Sequence, residues 1–440
     1  MVSASNFVSV DKNTFSVPLH AFLPKTAFIP LAEHDVKSLV VLVKEGDTVK
    51  EGEVIAKSDN SCVHASIPGI VTAIEQTQYP DGKQGLMAAV SLSGQLSYLG
   101  KKQFVQNWQN FEGQTLAYAI KEAGVINTFL HPVPLYAQMQ HFRAKKAHSV
   151  VVRLFDDDPS RVTEQFVAQT YLRDVLTGAA IMARAVGASS VIIAYAASDS
   201  ALFSDDAHLS SYVPKDVALV LQPMETKKYP AGTMHDIVSA VRKTHSGSEF
   251  AHLGKNDLFI DATTALNVYN AVALDMPVLR TFVHVTGECL NAAAVMNVKI
   301  GTPLKSLVEQ CGGFKRTLSK IVINGILSGT AVSSLDIPIS STVKSVEFVP
   351  VSQVKMQRTE SCVRCGNCRK ICPVGLWPGN LYRIAHLPEY EGSVLSGTTI
   401  ADSAILCIEC GLCNSVCPSR IPLRQTISLL KYAKTEDTNE

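Results

Sequence analysis

Eight of the chain's 11 cysteines form two copies of one pattern near the C-terminus. They are Cys362-x2-Cys365-x2-Cys368-x3-Cys372-Pro373 and Cys407-x2-Cys410-x2-Cys413-x3-Cys417-Pro418. Thiolates at this spacing hold two cubane 4Fe-4S clusters. Three thiolates on one tight loop reach three irons of a cube, while the fourth lies past a turn that proline ends and points to the other cluster. That places Cys362, Cys365, Cys368 and Cys417 on one cluster, and Cys407, Cys410, Cys413 and Cys372 on the other. Gly366 and Gly411 supply the tight turns that aim successive thiolates. Paired C-x2-C spacings also build structural zinc sites, but the repeated third and fourth cysteines and the prolines after them favour iron–sulfur. Cys62, Cys289 and Cys311 are scattered without a framework spacing, so they read as small buried apolar residues and not as disulfide partners.

Such a module needs a body to carry it. A chain of 440 residues implies three or four domains. A net charge of +1 with 18% charged residues gives no electrostatic case for nucleic acid. Residues 1–20 carry Asp11 and Lys12 and have no apolar run of signal-peptide length. The most apolar stretch, 179–197, is broken by Arg184, Gly187, Ser189 and Ser190, short of what a bilayer span requires. The expectation is a chain that stays in the cytoplasm and meets a membrane only peripherally, through partners.

The elements follow from periodicity. Residues 31–75 read as short strands with glycine turns, as in VKEGDTVKEGEVIA and ASIPGIVTAI, and resemble the barrel-sandwich module of biotinyl and lipoyl domains. The lysine that carries the prosthetic group there is missing, so the module reads as structural, and His34 and His64 as lone histidines without ligand partners. Beyond it, a helix over 116–124 closed by Gly124 precedes buried strands at 149–154, 190–195, 217–222 and 257–261. A long helix is predicted over 161–186 and others end near 241 and 274, so strands alternate with helices as in a parallel α/β sheet. Strands at 278–285 and 291–299, a helix over 303–310 and further strands within 321–343 outline a β-grasp unit. The expected division is a barrel-sandwich-like domain at 1–110, a Rossmann-like α/β domain at 111–255, a β-grasp (SLBB-type) domain at 256–350, a helical two-cluster ferredoxin domain at 351–434 and a polar tail at 435–440. The fold class is thus multidomain α/β plus β. A last helix over 423–432 is expected to pack on the ferredoxin fold through Leu429 and Leu430.

Taken together, the glycine-turn module, the α/β unit, the β-grasp unit and the double motif resemble the C subunit of the Rnf ion-translocating electron-transport complex. The resemblance spans nearly the whole chain and is carried most specifically by the two cysteine motifs, Tyr229-Pro230-Ala231-Gly232 and Ile300-Gly301-Thr302-Pro303. Microcompartment cobalamin reductase and the NADH-binding flavoprotein subunit of complex I are related in layout. The resemblance implies a peripheral subunit on the cytoplasmic face of the cell membrane, working with membrane-embedded and iron–sulfur subunits and with a ferredoxin or other redox donor or acceptor. It also implies that NADH reduces FMN, which passes electrons to the clusters. The matching region comprises Gly124, Asn127, His131, Asp156, Asp158, Tyr229 and Gly232.

The sequence departs from the family there. After Ile120-Lys121-Glu122-Ala123-Gly124 the phosphate loop has kept its length and lost its glycines, with Phe129, Leu130 and Pro132 where backbone N–H groups cradle the FMN phosphate. The second loop, N-G-x-E-C-E-P in the family, is Arg153-Leu154-Phe155-Asp156-Asp157-Asp158-Pro159, which reads equally as a solvated acidic turn capping the next helix. The expectation is an electron relay whose NADH and FMN site is degenerate. A soluble cobalamin-reductase-like protein and a scaffold with a vestigial nucleotide site are the alternatives.

Overall fold

The computed structural model describes residues 2–3, 18–32, 38–93, 105–145, 148–245, 250, 252–254, 256–353, 358–386 and 399–437. Asp11, Lys12, His34 and the last three residues of the tail lie outside them.

The barrel-sandwich module consists of two small antiparallel sheets. One orders Thr26–Pro30, Gln84–Leu92, Gly69–Gln78 and Thr48–Val49, and the other Val40–Val41, Val54–Lys57 and Cys62–His64. Alternate side chains, among them Ile29, Ile55, Ile67, Val71 and Val90, fill the space between the sheets. The turns place Gly46 and Gly52 at φ of 90° and 84°, where any other residue would be strained.

Four parallel strands follow, in the order Ala218–Met224, Ser190–Ala196, Ser149–Arg153 and Leu258–Asp261. The two central strands are buried along their whole length and read as continuous Val/Ile runs, as strands covered on both faces do. Helices Gly113–Glu122, Leu172–Val186 and Ala262–Ala273 cover one face through Leu116, Ala179, Met182 and Ala265. Met234–Thr244 covers the other with Ile237 and Val241. Because Leu258–Asp261 pairs with Val150–Arg153, the α/β unit runs to Ala273 and the boundary expected at 255 falls inside it. The long helix expected over 161–186 is two helices, Thr163–Thr170 and Leu172–Val186, broken at Tyr171. No proline or glycine sits there. Tyr171 and Phe166 both turn onto the Phe282 ring, at 5.4 and 6.0 Å, so tertiary contact overrides local propensity.

The β-grasp sheet has six strands. Arg280–Thr286 and Ala294–Lys299 are antiparallel, the short helix Leu304–Gln310 packs on them, and Ser345–Pro350, Leu318–Ile323 and Thr330–Val332 complete one side. The far edge is Leu19–His20, paired parallel to Ala294–Lys299 and held by Gln310, whose Nε2 donates to the His20 carbonyl at 2.9 Å. Val2–Ser3 pairs with Lys228–Tyr229 of the α/β unit. These described N-terminal residues therefore belong to later sheets and not to the barrel-sandwich module expected over 1–110.

The C-terminal unit is helical: Asn367–Ile371, Pro378–Ala385, Leu412–Ser415 and Leu423–Asp437. The last helix runs past the point where the polar tail is expected to begin. It buries Ile427 and Leu430 against Leu376 and Leu381, while Leu429 is 71% exposed. The two cysteine repeats share one backbone conformation. Gly366 and Gly411 are left-handed at φ of 77° and 74°, Arg364 and Glu409 at 56° and 55°, and Gly375 and Arg420 at 72° and 53°. Among the described residues no helix is long and apolar enough to cross a membrane.

Candidate iron–sulfur site and the loops that seat it

The second repeat is half-buried, with Leu412 and Cys413 buried and Ile408 left exposed. Cys372, Cys407, Cys410 and Cys413 together line one recess, closed by Leu376, Leu412, Ile427 and Arg424. The fourth cysteine of the first motif thus sits with the first three of the second. Cys368 and Cys417 in turn flank Ile421, Leu423 and the buried Cys413 in one small apolar cluster, so Cys413 stands between the two groups of thiols, and Cys362 and Cys365 are exposed. Among the described residues no three of His, Cys, Asp or Glu converge on a single ion. Thiols spread around a recess suit a group whose irons occupy the corners of a cube.

The donor set fits such a group in other respects. Burial pushes the Cys410 and Cys413 thiols up to about 11 and about 12, and raises Cys407 as well. Protons held this firmly by burial are displaced when a metal takes the sulfur. Backbone N–H groups already aim at sulfur: Leu376 N donates to Cys372 Sγ at 3.3 Å and Glu409 N to Cys407 Sγ at 3.4 Å. N–H bonds of this kind raise the potential of a bound cluster. Cys62, Cys289 and Cys311 are buried in the other domains.

Three loops of the body seat this recess. Tyr229 Oη donates to the Cys410 carbonyl at 2.7 Å. Arg424 donates to the carbonyls of Ser328 and Gly329 in the β-grasp hairpin, and a Cβ on Gly411 would overlap the Leu327 carbonyl. The hairpin is fixed from behind by Asp158. Its carboxylate accepts from Ser160 N and Oγ at 3.0 and 2.7 Å, and from Leu327 N, Ser328 N and Ser328 Oγ at 3.2, 2.9 and 2.8 Å. On the far side Lys431 Nζ donates to the Cys407 carbonyl and to Glu409, both at 3.1 Å, with His131 Nε2 at 3.3 Å. Burial lowers the His131 pKa, against the opposing pull of Glu409.

Asp158, Tyr229 and His131 are residues that the sequence marks for a nucleotide and flavin site; here each touches a loop that positions the cysteines. The other four lie elsewhere. Gly124, at φ of 73°, lets the chain pass close to the Cys62 carbonyl of the barrel-sandwich module. Asn127 donates to Gln138 at 2.7 Å and to the Phe259 carbonyl at 2.8 Å. Asp156 caps Thr163–Thr170 by accepting from Glu164 N at 2.9 Å, so this acidic residue does cap the next helix, but buried and not solvated. Gly232 gives its carbonyl to Arg153 Nη1 at 3.1 Å.

Residues 124–134, 153–159 and 229–232 do converge, at the carboxyl ends of the parallel strands, where open α/β sheets bind ligands. Arg153 occupies the convergence. It is fully buried, donates also to the Phe129 carbonyl at 3.1 Å, lies 4.4 Å from the Phe129 ring centroid and pairs with Asp157. Beside it Lys344 bridges Glu164 and Asp261 at 2.8 and 2.5 Å. Burial raises the Glu164 carboxyl. For Asp261 the effect of burial is outweighed by Lys344, which holds the carboxyl low. Two of the loop's donors are engaged within the protein: Thr128 N on Thr264 Oγ1 at 3.3 Å, and Phe129 N on Asn127 Oδ1 at 3.1 Å. A phosphate cradle needs free, converging N–H groups, and those of Thr128 and Phe129 are not free.

A barrel-sandwich module, a parallel α/β layer, a β-grasp sheet and a double-motif helical unit with eight thiols define a modular iron–sulfur electron-transfer protein. Residues 12–94 match the RnfC barrel sandwich hybrid domain, 282–325 the SLBB domain and 358–421 the 4Fe-4S dicluster domain. The chain is 23% identical over 376 residues to the C subunit of the Na+-translocating ferredoxin:NAD+ oxidoreductase complex of Acetobacterium woodii, covering 84% of each. It is 24% identical to the C subunit of the proton-translocating ferredoxin:NAD+ oxidoreductase complex of Clostridium ljungdahlii, over 86% of this chain and 83% of that one. Identity to the C subunit of the ion-translocating oxidoreductase complex of Methanosarcina acetivorans is 26%, over 89% and 87%. In its domain matches and over most of its length the chain is thus similar to the C subunits of ion-translocating oxidoreductase complexes.

Proposed function

We propose that this chain is the iron–sulfur electron-transfer subunit of an ion-translocating oxidoreductase complex, and that it receives its electrons from a protein and not from its own NADH and FMN site. Cys362, Cys365, Cys368 and Cys417 hold one 4Fe-4S cluster, and Cys407, Cys410, Cys413 and Cys372 the other. Bound there, such clusters accept and release single electrons at potentials that burial and N–H bonds to sulfur set. The residues of this chain position the thiols: left-handed Gly366 and Gly411 turn each loop, and Tyr229, Arg424 and the Asp158-held hairpin seat the second loop on the body. The relatives' names make them subunits of complexes that couple ferredoxin and NAD+ to ion translocation. By that likeness this chain works on the cytoplasmic face of the membrane, bound to the other subunits.

The observation that carries the reading is the shared recess of Cys372 with Cys407, Cys410 and Cys413. Electron paramagnetic resonance of the dithionite-reduced chain tests it. Cys372→Ser is expected to alter the signal of the second-repeat cluster alone and Cys417→Ser that of the first. If each substitution instead disturbed the cluster of its own repeat, the crossed assignment would be wrong.

A further inference from the structure

The two thiol sets meet different surroundings. The loop of Cys407 and Cys410 is tied to the body through Tyr229 and Arg424, whereas Cys362 and Cys365 lie on a loop open to solvent. Exposed apolar side chains accompany that segment: Val363 at 66% and Trp377 at 45%. The Arg369 guanidinium stacks 3.8 Å from the Trp377 ring centroid, which holds a large aromatic in place at the surface. The charges are one-sided. Arg358, Arg364, Arg369, Lys370 and Arg383 are exposed across the described residues 358–386, with Glu360 the one carboxylate there. The chain as a whole carries a net charge of only +1, so this segment concentrates positive charge where the first set of thiols comes to the surface.

We propose that this basic, apolar-centred face around Cys362 and Cys365 is the docking surface for a small acidic redox protein. The inference rests on the iron–sulfur reading above and adds the port and the chemistry of the partner. In the encounter the partner would lose one electron, and the 4Fe-4S cluster that Cys362, Cys365, Cys368 and Cys417 would hold would gain it, the thiolates serving as ligands only. Electron-transfer encounters use small interfaces with an apolar centre, and complementary charge steers them. An anionic membrane would also attract lysine, arginine and tryptophan, but it neither gives nor takes electrons, and the solvent-facing cysteines belong to the same exposed basic segment.

The test uses the full chain with iron and sulfide reconstituted anaerobically. The probe is a low-potential plant-type ferredoxin of strongly acidic composition. Binding is followed by biolayer interferometry and electron transfer by stopped flow. Affinity and second-order rate are both expected to fall about tenfold or more between roughly 50 and 500 mM salt. Lys370→Glu with Arg383→Glu should lower both about tenfold at low salt, and Lys370→Gln with Arg383→Gln by less, in line with charge. Circular dichroism confirms that these exposed substitutions leave the fold intact. Binding and rate that ignore both salt and charge reversal would overturn the proposal. So would loss of binding to phosphatidylglycerol vesicles in the reversed variant with the ferredoxin rate unchanged, which would make the face a membrane contact. A chain that takes up iron and is bleached by dithionite, yet is insensitive to the ferredoxin, refutes the docking face alone. A chain that holds no iron after reconstitution refutes the electron-transfer reading beneath it.

Discussion

Replacing Asp158 by alanine separates a ligand-binding acid from a structural one. The carboxylate is fully buried and accepts five hydrogen bonds, three of them from the backbone N–H groups of Ser160, Leu327 and Ser328. Each buried donor left without a partner costs about 1–3 kcal/mol. Ser328 is only half-buried, and water admitted by the truncation recovers part of its share. Asp158→Ala is therefore expected to destabilise the body by about 3–5 kcal/mol. The chain has two tryptophans, Trp108 and Trp377. Trp108 is buried in the α/β core, so urea unfolding followed by fluorescence in a Trp377→Phe background reports on the α/β unit. Asp158→Asn keeps the shape but turns an amide donor toward the Leu327 and Ser328 donors, and should also destabilise. Because the same hairpin receives Arg424, the resonance signal of the second-repeat cluster should broaden in both variants. A midpoint shift worth less than about 0.5 kcal/mol, with the signal unchanged, would refute the structural role.

Two further substitutions probe the seat and its electrostatics. Gly411→Ala should abolish docking of the second loop, since its Cβ would overlap the Leu327 carbonyl, whereas Gly366→Ala faces open space and costs only the left-handed strain of about 1–2 kcal/mol. Iron content per chain after reconstitution checks this: sharply reduced for the first variant and near normal for the second. Glu347 has its carboxyl raised to about 7 by burial and by Asp158. Its folded value thus exceeds its unfolded one, the native state binds the extra proton between the two, and stability falls as pH rises from about 4.5 to 7. Glu347→Gln should flatten that part of the stability–pH curve, and an unchanged slope would count against a buried carboxyl there.

The chemistry was legible because it is local. Ligand spacing within ten residues, a glycine at the same place in each copy and a proline after each fourth cysteine need no knowledge of the fold. The parallel strands were legible too, since Ser149–Arg153 and Ser190–Ala196 are buried on both faces and carry the Val150–Val152 and Val191–Ile193 runs. Long-range partners left no such mark. Nothing near Asp158 announces Leu327 and Ser328, and nothing near Tyr229 announces Cys410. The acidic loop looked like a helix cap, which Asp156 is, but its burial depends on Arg161 and on a sheet that forms elsewhere in the chain. The same holds for the break at Tyr171, which Phe282 decides, and for Leu258–Asp261, whose place beside Ser149–Arg153 assigns it to the α/β unit. Loss of the loop glycines was visible in sequence. That Arg153 and Phe129 fill the space between the converging loops was not.

The central claim is that this chain relays electrons through two clusters without a flavin of its own. Anaerobically purified protein answers it directly by iron and sulfide content, extracted flavin, and visible bleaching with NADH against dithionite. The account predicts about eight irons per chain, as two cubane clusters require, no flavin, bleaching by dithionite and none by NADH. Stoichiometric FMN with bleaching by NADH would contradict it, and would mean that the loops around Arg153 open to admit a nucleotide.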